Sequence, residues 1–357
     1  MWGIGIMSGS SLDGLDIAAI NFQEDHNQLT FEWGPTNTVP YLIDWEQRLI
    51  NAPTLTGIDL ISLDVAYGKW IGQQVSEFCT KHNLIPDFVA SHGHTVFHFP
   101  AEGFTFQLGN GESMVTQIKA PVITQFRQRD VTLGGQGAPL VPAGEIALLS
   151  DQAEGFLNLG GIANIHIPEK GAWDICGCNQ LLNYLSQEIG LTYDKDGKIA
   201  QQGKFLEDIF IQAKSIPYLF KDPPKSLGNN QIKQELIPIF SSNNYSVEDR
   251  MFTAVNWIIS EIVTAVKEFK GRLMITGGGA WNTLLIDLLR NELISKDIKI
   301  ILPEERMINY KEALIFGWMG YCTLKNKINI NSNYTGAKYS VSAGAIHFPD
   351  INRPTLL

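Results

Sequence analysis

Cysteine and positive charge are both in short supply. Only Cys79, Cys176, Cys178 and Cys322 occur in 357 residues, too few and too unevenly spaced for a disulfide scaffold in a chain this long, so a reducing cytoplasm is expected. Lys and Arg number 27 against 37 Asp and Glu, a formal charge of −10. That balance argues against broad nucleic-acid or anionic-membrane binding and leaves room only for a local basic pocket. No stretch approaches the roughly 18 uninterrupted apolar residues of a membrane span. The opening MWGIGIMSGSSLDG lacks a basic flank and has a very short apolar run, so it reads as a buried strand entering a turn rather than as a signal peptide. A soluble, unprocessed chain is the expectation.

Glycine is plentiful, with 33 residues, about 9% against a usual roughly 7%. The length predicts about two domains. Periodicity predicts strands at Trp2–Met7, Leu15–Phe22 and Leu29–Trp33, a helix at Ile58–His82, a strand at Asp87–Ser91, a helix near Glu112–Lys119 and a strand at Pro121–Thr124. The order then repeats. Strands are expected at Gly155–Leu159, Ile162–Ile167 and Ala172–Ile175, with helical stretches at Asn179–Gly190 and Phe205–Ala213. A helix at Val247–Lys270, a strand at Arg272–Thr276, a helix at Trp281–Leu293, a strand at Ile298–Leu302 and a helix at Lys311–Leu324 follow.

A three-strand meander followed by alternating helices and strands suits a ribonuclease-H-like α/β layout, because parallel strands need helical crossovers. Its duplication predicts two lobes around a central cleft. The expected division is residues 1–140, completed by about 335–357, and residues 141–334. Residues 215–246, containing KDPPKSLGNN, have little periodicity and read as a long loop or an insertion between helices.

Three glycine turns carry candidate chemistry. In MSGSSLDGLD, residues 7–16, Gly9 and Gly14 permit close backbone approach, while Ser8, Ser10 and Ser11 add hydroxyls and Asp13 could hold a metal's water shell. A β-turn using Gly and Ser only for its chirality would look the same. No Gly-Lys-Ser/Thr follows, so it is not a Walker motif. In GFLNLGGIAN, residues 155–164, the pair Gly160–Gly161 falls at the equivalent place in the second half. In ITGGGAWN, residues 275–282, a strand ends in Gly277, Gly278 and Gly279 and opens a helix, a natural place for an anion. A tight strand-to-helix turn without a ligand is the alternative.

These turns and the layout resemble the acetate and sugar kinase and actin superfamily. More narrowly, the chain resembles the anhydro-N-acetylmuramic acid kinases through SHGHTVFHFP at 91–100, FTFQLGNG at 104–111, Phe126-Arg127 with Asp130, and GGQGAPLVP at 134–142. The segments WDICGCN at 173–179, YDKDG at 193–197, PPKS at 223–226 and KEAL at 311–314 extend the match. The resemblance implies a duplicated, actin-like fold and a reaction in which 1,6-anhydro-N-acetylmuramic acid, ATP and water give N-acetylmuramic acid 6-phosphate and ADP. It implies ATP and Mg2+ as cofactors, a small anhydro amino sugar as partner, and residues Gly9, Ser10, Ser11, Leu12, Asp13, Gly14, Leu15, Asp16, Gly160, Gly161 and Gly277–Gly279 at the nucleotide. No protein ligand to a metal is assigned, and an exposed apolar helix could support a homodimer.

Asp174 occupies the family's catalytic aspartate position and is expected to act as base at a near-normal pKa; capping the helix at Asn179 is the alternative. Arg127 would grip the lactyl carboxylate, or otherwise pair with Asp130. His92, His94 and Thr95 are expected as sugar contacts rather than as a zinc site, and His98 as either a contact or a packed residue. Asn110 is a second-rank substrate contact, Glu312 either a site residue or a helix partner, and Lys225 either a phosphate contact or a solvated loop residue. Cys176 and Cys178 read as packed thiols. The chain departs from the family pattern in having Ile175-Cys176-Gly177-Cys178 for Thr-Gly-Pro-Gly, Ser10 for Thr, His94 for Gln and Gln125 for Asp. The second pair bears on substrate identity more than on phosphoryl transfer, so the alternatives are a kinase for a related amino sugar and a non-catalytic actin-like nucleotide-binding sensor, which would keep the glycine turns without needing Asp174 or Arg127.

Overall fold

A computed structural model describes residues 1–350 except Ser10, Ser11, Asp13, Asn27 and Asn243. By packing, the chain divides into two units: Met1–Leu148 with the chain from Tyr310 onward, and Leu149–Asn309.

The first unit is built on strands β1 (Trp2–Ser8), β2 (Gly14–Asp25), β3 (Gln28–Pro40), β4 (Phe88–Ser91), β5 (His94–Phe99), β6 (Phe104–Leu108) and β7 (Val122–Thr124). The second contains β8 (Gly155–Leu159), β9 (Ile162–Ile167), β10 (Gly171–Gly177), β11 (Gly271–Thr276) and β12 (Ile298–Ile301), and β13 (Ala345–His347) returns to the first. The first sheet runs β13-β7-β4-β1-β2-β3 and the second β12-β11-β8-β9-β10. In both, the first three strands form an antiparallel meander while the fourth and fifth lie parallel on the other side of the first. This is the ribonuclease-H-like strand order, present twice. β13 adds an edge to the first sheet, and β5 and β6 form a separate hairpin.

The helix Gly57–His82 shows why the elements form. Thr56 caps its start by accepting from Asp59 N, Asn83 ends it at φ 52°, and Leu63, Tyr67, Ile71, Val75 and Phe78 recur on one buried face. In the second unit the helix Val247–Ala265 buries Met251, Val255, Trp257, Ile258 and Ile262. They share a core with Leu157, Leu159, Leu273 and Ile275 from the sheet.

The helix Glu305–Leu324 leaves helical geometry at Tyr310, where φ is −120°. Beyond that point it lies almost backbone to backbone on the first sheet. A side chain at Gly5 would overlap the Ala313 carbonyl, and one at Gly320 would come within 2.5 Å of Ala90 Cβ. This close approach groups the chain from Tyr310 onward with the first unit, whereas the sequence reading starts the completing tail near 335.

Residues 215–246 are not a featureless loop. Short turns at Pro217–Phe220, Asn229–Gln231, Ile232–Leu236 and Ile237–Phe240 bury Tyr218, Ile232, Leu236 and Phe240 in the second core. Because Gly5 leaves no room for a methyl group, Gly5→Ala is expected to lower unfolding stability by about 1–3 kcal/mol in urea denaturation. An unchanged midpoint would contradict the close packing.

Candidate active site

The second unit brings its two glycine turns to one place. Gly160 O accepts from Asn179 N at 3.1 Å, and Gly161 O accepts from Cys178 N at 2.9 Å and Gln180 N at 3.2 Å. The first amides of the helix Asn179–Gln187 are therefore taken by these carbonyls. Asn179 Nδ2 donates to Leu159 O at 2.9 Å. Gly277, at φ 83°, would carry a Cβ only 2.5 Å from Asn158 Oδ1, and Gly279 one 2.7 Å from Leu159 Cβ. Gly278 faces open space, its nearest neighbour being Asn179 Nδ2 at 3.5 Å. Among the described residues nothing accepts from the N–H groups of Gly160, Gly161, Gly278 or Gly279. Such a cluster of free backbone amides is a cradle for phosphate oxygens.

Asp174 lies on β10 beside a register shift between Asp174 and Cys176. Its Oδ2 accepts from Leu227 N at 2.8 Å and from the Ser226 hydroxyl at 3.2 Å. Its backbone is held as well, with Asp174 N donating to Lys225 O at 3.1 Å and the Tyr218 hydroxyl donating to Asp174 O at 2.8 Å. Among the described residues nothing donates to Oδ1. Burial raises the carboxyl pKa, opposed by the two hydrogen bonds to Oδ2. The expected near-normal pKa is thus corrected upward, because the segment 217–227, bonded to Asp174 through Tyr218, Ser226 and Leu227, removes water from the group. Asp174 makes no N-cap contact; the residue before the helix is Cys178, with no side-chain cap. Cys176 and Cys178 are buried, and burial pushes the Cys178 thiol up to about 12.

In the first unit a polar chain runs inward. Tyr41 bonds Tyr67 and donates to Ser8 Oγ at 2.7 Å, and Ser8 lies 3.1 Å from His94 Nδ1. Burial lowers the His94 pKa to about 4. His92 Nδ1 bonds Gly93 O at 2.9 Å, so Nε2 is free to accept from Arg127 Nε at 2.9 Å. Burial, and then the Arg127 charge, hold His92 well below its usual pKa. Arg127 also donates through Nη1 to Gly137 O at 2.7 Å, and burial lowers its pKa to about 10.

The alternative partner, Asp130, is fully buried and accepts instead from Gly137 N and the Thr335 hydroxyl, each at 2.7 Å. Glu312 is half-buried in the same region, its carboxyl raised by burial and lowered by Lys311 and Arg127. Lys311 is itself buried in an ion pair with Glu145 at 2.5 Å. His98, exposed, bonds Thr105 Oγ1 at 3.1 Å, and Thr95 is exposed on β5.

Other expected residues fall elsewhere. Asn110 is committed to the fold: its Oδ1 accepts from Ser113 N, and its Nδ2 donates to Asp64 at 3.1 Å. Leu15 is a core side chain on β2, and Asp16 accepts from the Thr38 hydroxyl at 2.6 Å. Gly14 opens β2 against Val39, while Gly9 and Leu12 share a turn, Leu12 at φ 59°. Ser10, Ser11 and Asp13 lie outside the described residues. Among the described residues no three His, Cys, Asp or Glu side chains are grouped to hold a metal ion. Tyr41, Tyr67 and Tyr218 escaped the sequence reading, and Ser226 entered it only as the last residue of the PPKS segment.

The profile of the family described as anhydro-N-acetylmuramic acid kinase matches residues 1–349. The anhydro-N-acetylmuramic acid kinase of Bacillus thuringiensis subsp. konkukian (strain 97-27) is 31% identical, covering 98% of this chain and 100% of its own. That of Bacillus cereus (strain AH820) is 32% identical with the same coverage. Among solved structures, the activator of the 2-hydroxyisocaproyl-CoA dehydratase from Clostridium difficile with bound ADPNP has a TM-score of 0.45 at 12% identity, covering 91% of this chain and 97% of its own. A ROK family glucokinase from Streptomyces griseus, in complex with glucose and AMPPNP, has a TM-score of 0.40 at 10% identity, covering 89% and 99%.

The buried, neutral His94 gives a signed prediction. Its folded pKa lies below its unfolded one, so the unfolded state binds more protons between about pH 6.5 and pH 4 and stability falls as pH drops through that window. Urea denaturation across pH should show a loss to which His94 contributes on the order of 3 kcal/mol, so that His94→Gln loses that much less while His92 still contributes. An equal loss in the variant would assign it to other groups.

Proposed function

The chain belongs to the anhydro-N-acetylmuramic acid kinase family, and on that premise we propose that it opens 1,6-anhydro-N-acetylmuramic acid with water and phosphorylates O6 from ATP, a step in cell-wall recycling. The observation that carries the reading is Asp174, the aspartate of the WDICGCN segment, with one carboxylate oxygen held and the other free. Asp174 Oδ1 takes a proton from water, whose oxygen forms the new bond to the anomeric carbon. The bond from that carbon to O6 breaks, O6 bonds the γ-phosphorus, and the bridging P–O bond breaks to release ADP. The products are N-acetylmuramic acid 6-phosphate and ADP, and the proton leaves Asp174 to solvent.

Arg127 retains Nη2 and the second Nη1 hydrogen for the lactyl carboxylate, while His92 fixes its plane. The free amides of Gly160, Gly161, Gly278 and Gly279 hold nucleotide phosphates. Mg2+ would arrive on those phosphates and neutralise their charge, since this ion keeps several waters and needs few protein ligands. We further place the protein in the cytoplasm, in keeping with four free cysteines. Among the described residues no helix is long and apolar enough to cross a membrane. A homodimer would cover exposed Leu42, Ile43, Ile58 and Ile61.

A related amino sugar is the second reading, favoured by Gln125, which is exposed at φ 57° where the family pattern has Asp. A coupled ADP-release assay with Mg2+-ATP, run on the anhydro-muramic and anhydro-glucosamine sugars, separates the two. Sugar-dependent ADP with a product gaining phosphate and one water is expected only with the lactyl-bearing sugar; no such product would overturn the reading. Asp174→Asn is expected to lower kcat by about 10²- to 10⁴-fold without lowering thermal stability, because the raised folded pKa means that the buried charge costs stability at neutral pH. Arg127→Ala should lower kcat/KM roughly ten- to a hundredfold through KM for the lactyl-bearing sugar. An equal loss with a plain amino sugar would discredit the carboxylate grip.

A further inference from the structure

Lys225 is half-buried, yet among the described residues it makes no ion pair with a carboxylate. Its ammonium instead donates to the carbonyl oxygens of Leu219 at 3.1 Å and Tyr218 at 3.3 Å, and lies 4.8 Å from the centre of the Tyr218 ring. A positive charge spent on two carbonyls and an aromatic face closes a loop, since these partners lie at the far end of the segment 217–227.

Both ends of that strap hold Asp174. From one end the Tyr218 hydroxyl reaches Asp174 O. From the other, Lys225 O accepts from Asp174 N, while Ser226 Oγ and Leu227 N donate to Oδ2. The ammonium is the side-chain link between the ends. We propose that Lys225 is a positioning residue for Asp174: by clamping the strap shut it keeps Ser226 and Leu227 on Oδ2 and leaves Oδ1 to face water. This rests on Asp174 as the base and gives Lys225 a role apart from contact with phosphate. The charged and titratable groups around the carboxylate and its clamp are Tyr218, Lys221, Asp222 and Lys225 on the strap, with Lys221 5.8 Å from the Tyr218 ring, Cys176 on the strand, and Glu261 on the helix Val247–Ala265, itself paired with Lys214 at 2.7 Å. The neutral thiol and phenol do not titrate on the acid side, where the carboxylate does.

The test compares Lys225→Met, Lys225→Arg and Ser226→Ala in the full chain by steady-state kinetics across pH and by hydrogen exchange at the Leu227 amide. Lys225→Met should lower kcat about ten- to a hundredfold with KM for ATP little changed. Its acid limb should move to higher pH, because a carboxylate that loses donors protonates more readily. Lys225→Arg should recover part of kcat, Ser226→Ala should move the acid limb the same way, and Leu227 should exchange faster in Lys225→Met. A raised KM for ATP with an unmoved acid limb would make Lys225 a phosphate ligand and overturn the proposal. Unchanged exchange at Leu227 would overturn it too. If Lys225→Met fails to fold, an unmoved acid limb in Ser226→Ala contradicts the clamp. Should the wild type show no sugar-dependent turnover, the functional reading fails while the exchange comparison still decides the clamp.

Discussion

A half-buried carboxylate without a bonded cation is the constraint on which the second unit is organised. Asp174 loses hydration under the strap, and the ammonium of Lys225 bonds backbone carbonyls instead of neutralising it. Two neutral donors, Ser226 Oγ and Leu227 N–H, offset part of the cost, and they act on the same oxygen. The result is a carboxylate with two unlike oxygens, one fixed and one available. A salt bridge to Asp174 would have secured its charge but lowered its basicity, which is the property a base must keep.

The frame around that group is economical. In the second unit the edge strand β10 carries Asp174, while β8 and β11 end in the glycines whose amides remain free. The same strand order in the first unit carries a different polar arrangement: β1 ends at Ser8, and the segment after β4 brings His92 and His94 to Arg127 and Ser8. Desolvation works oppositely on the two sets. It raises Asp174 toward the protonated form and lowers His92 and His94, so the histidines are neutral hydrogen-bonding groups. Glycine serves packing as much as ligands, because Gly277 and Gly279 are confined by Asn158 and Leu159, and Gly278 alone of that turn faces open space.

Much of this is legible in the sequence. Gly155–Leu159 and Ile162–Ile167 match their predicted bounds, since each is a short apolar run between turn residues. The helix Gly57–His82 is marked by its four-residue apolar spacing and by its Thr56 cap. The helix Val141–Leu149 was missed because VPAGEIALL is apolar throughout and has no period to read. The hairpin of β5 and β6 was missed because Pro100 and Gly103 interrupt it and its register shifts between Thr95 and Phe97. The helical turns within 215–246 owe their order to burial of Tyr218, Leu236 and Phe240 rather than to local propensity. Motif resemblance pointed to Asp174 and Arg127, but not to the partners that orient them. Asn110 shows the converse, a polar residue in a matching segment whose hydrogen bonds go to a helix cap and to Asp64.

The central claim is that this chain couples attack of water on the sugar to phosphoryl transfer from ATP. Turnover of the anhydro sugar in oxygen-18 water, with fragment masses read promptly on the phosphorylated product, tests it most directly. The account predicts one heavy oxygen on the anomeric carbon and none in the phosphate, with O6 retained from the sugar. Heavy oxygen in the phosphate, or a phosphorylated sugar that has gained no water, would contradict it.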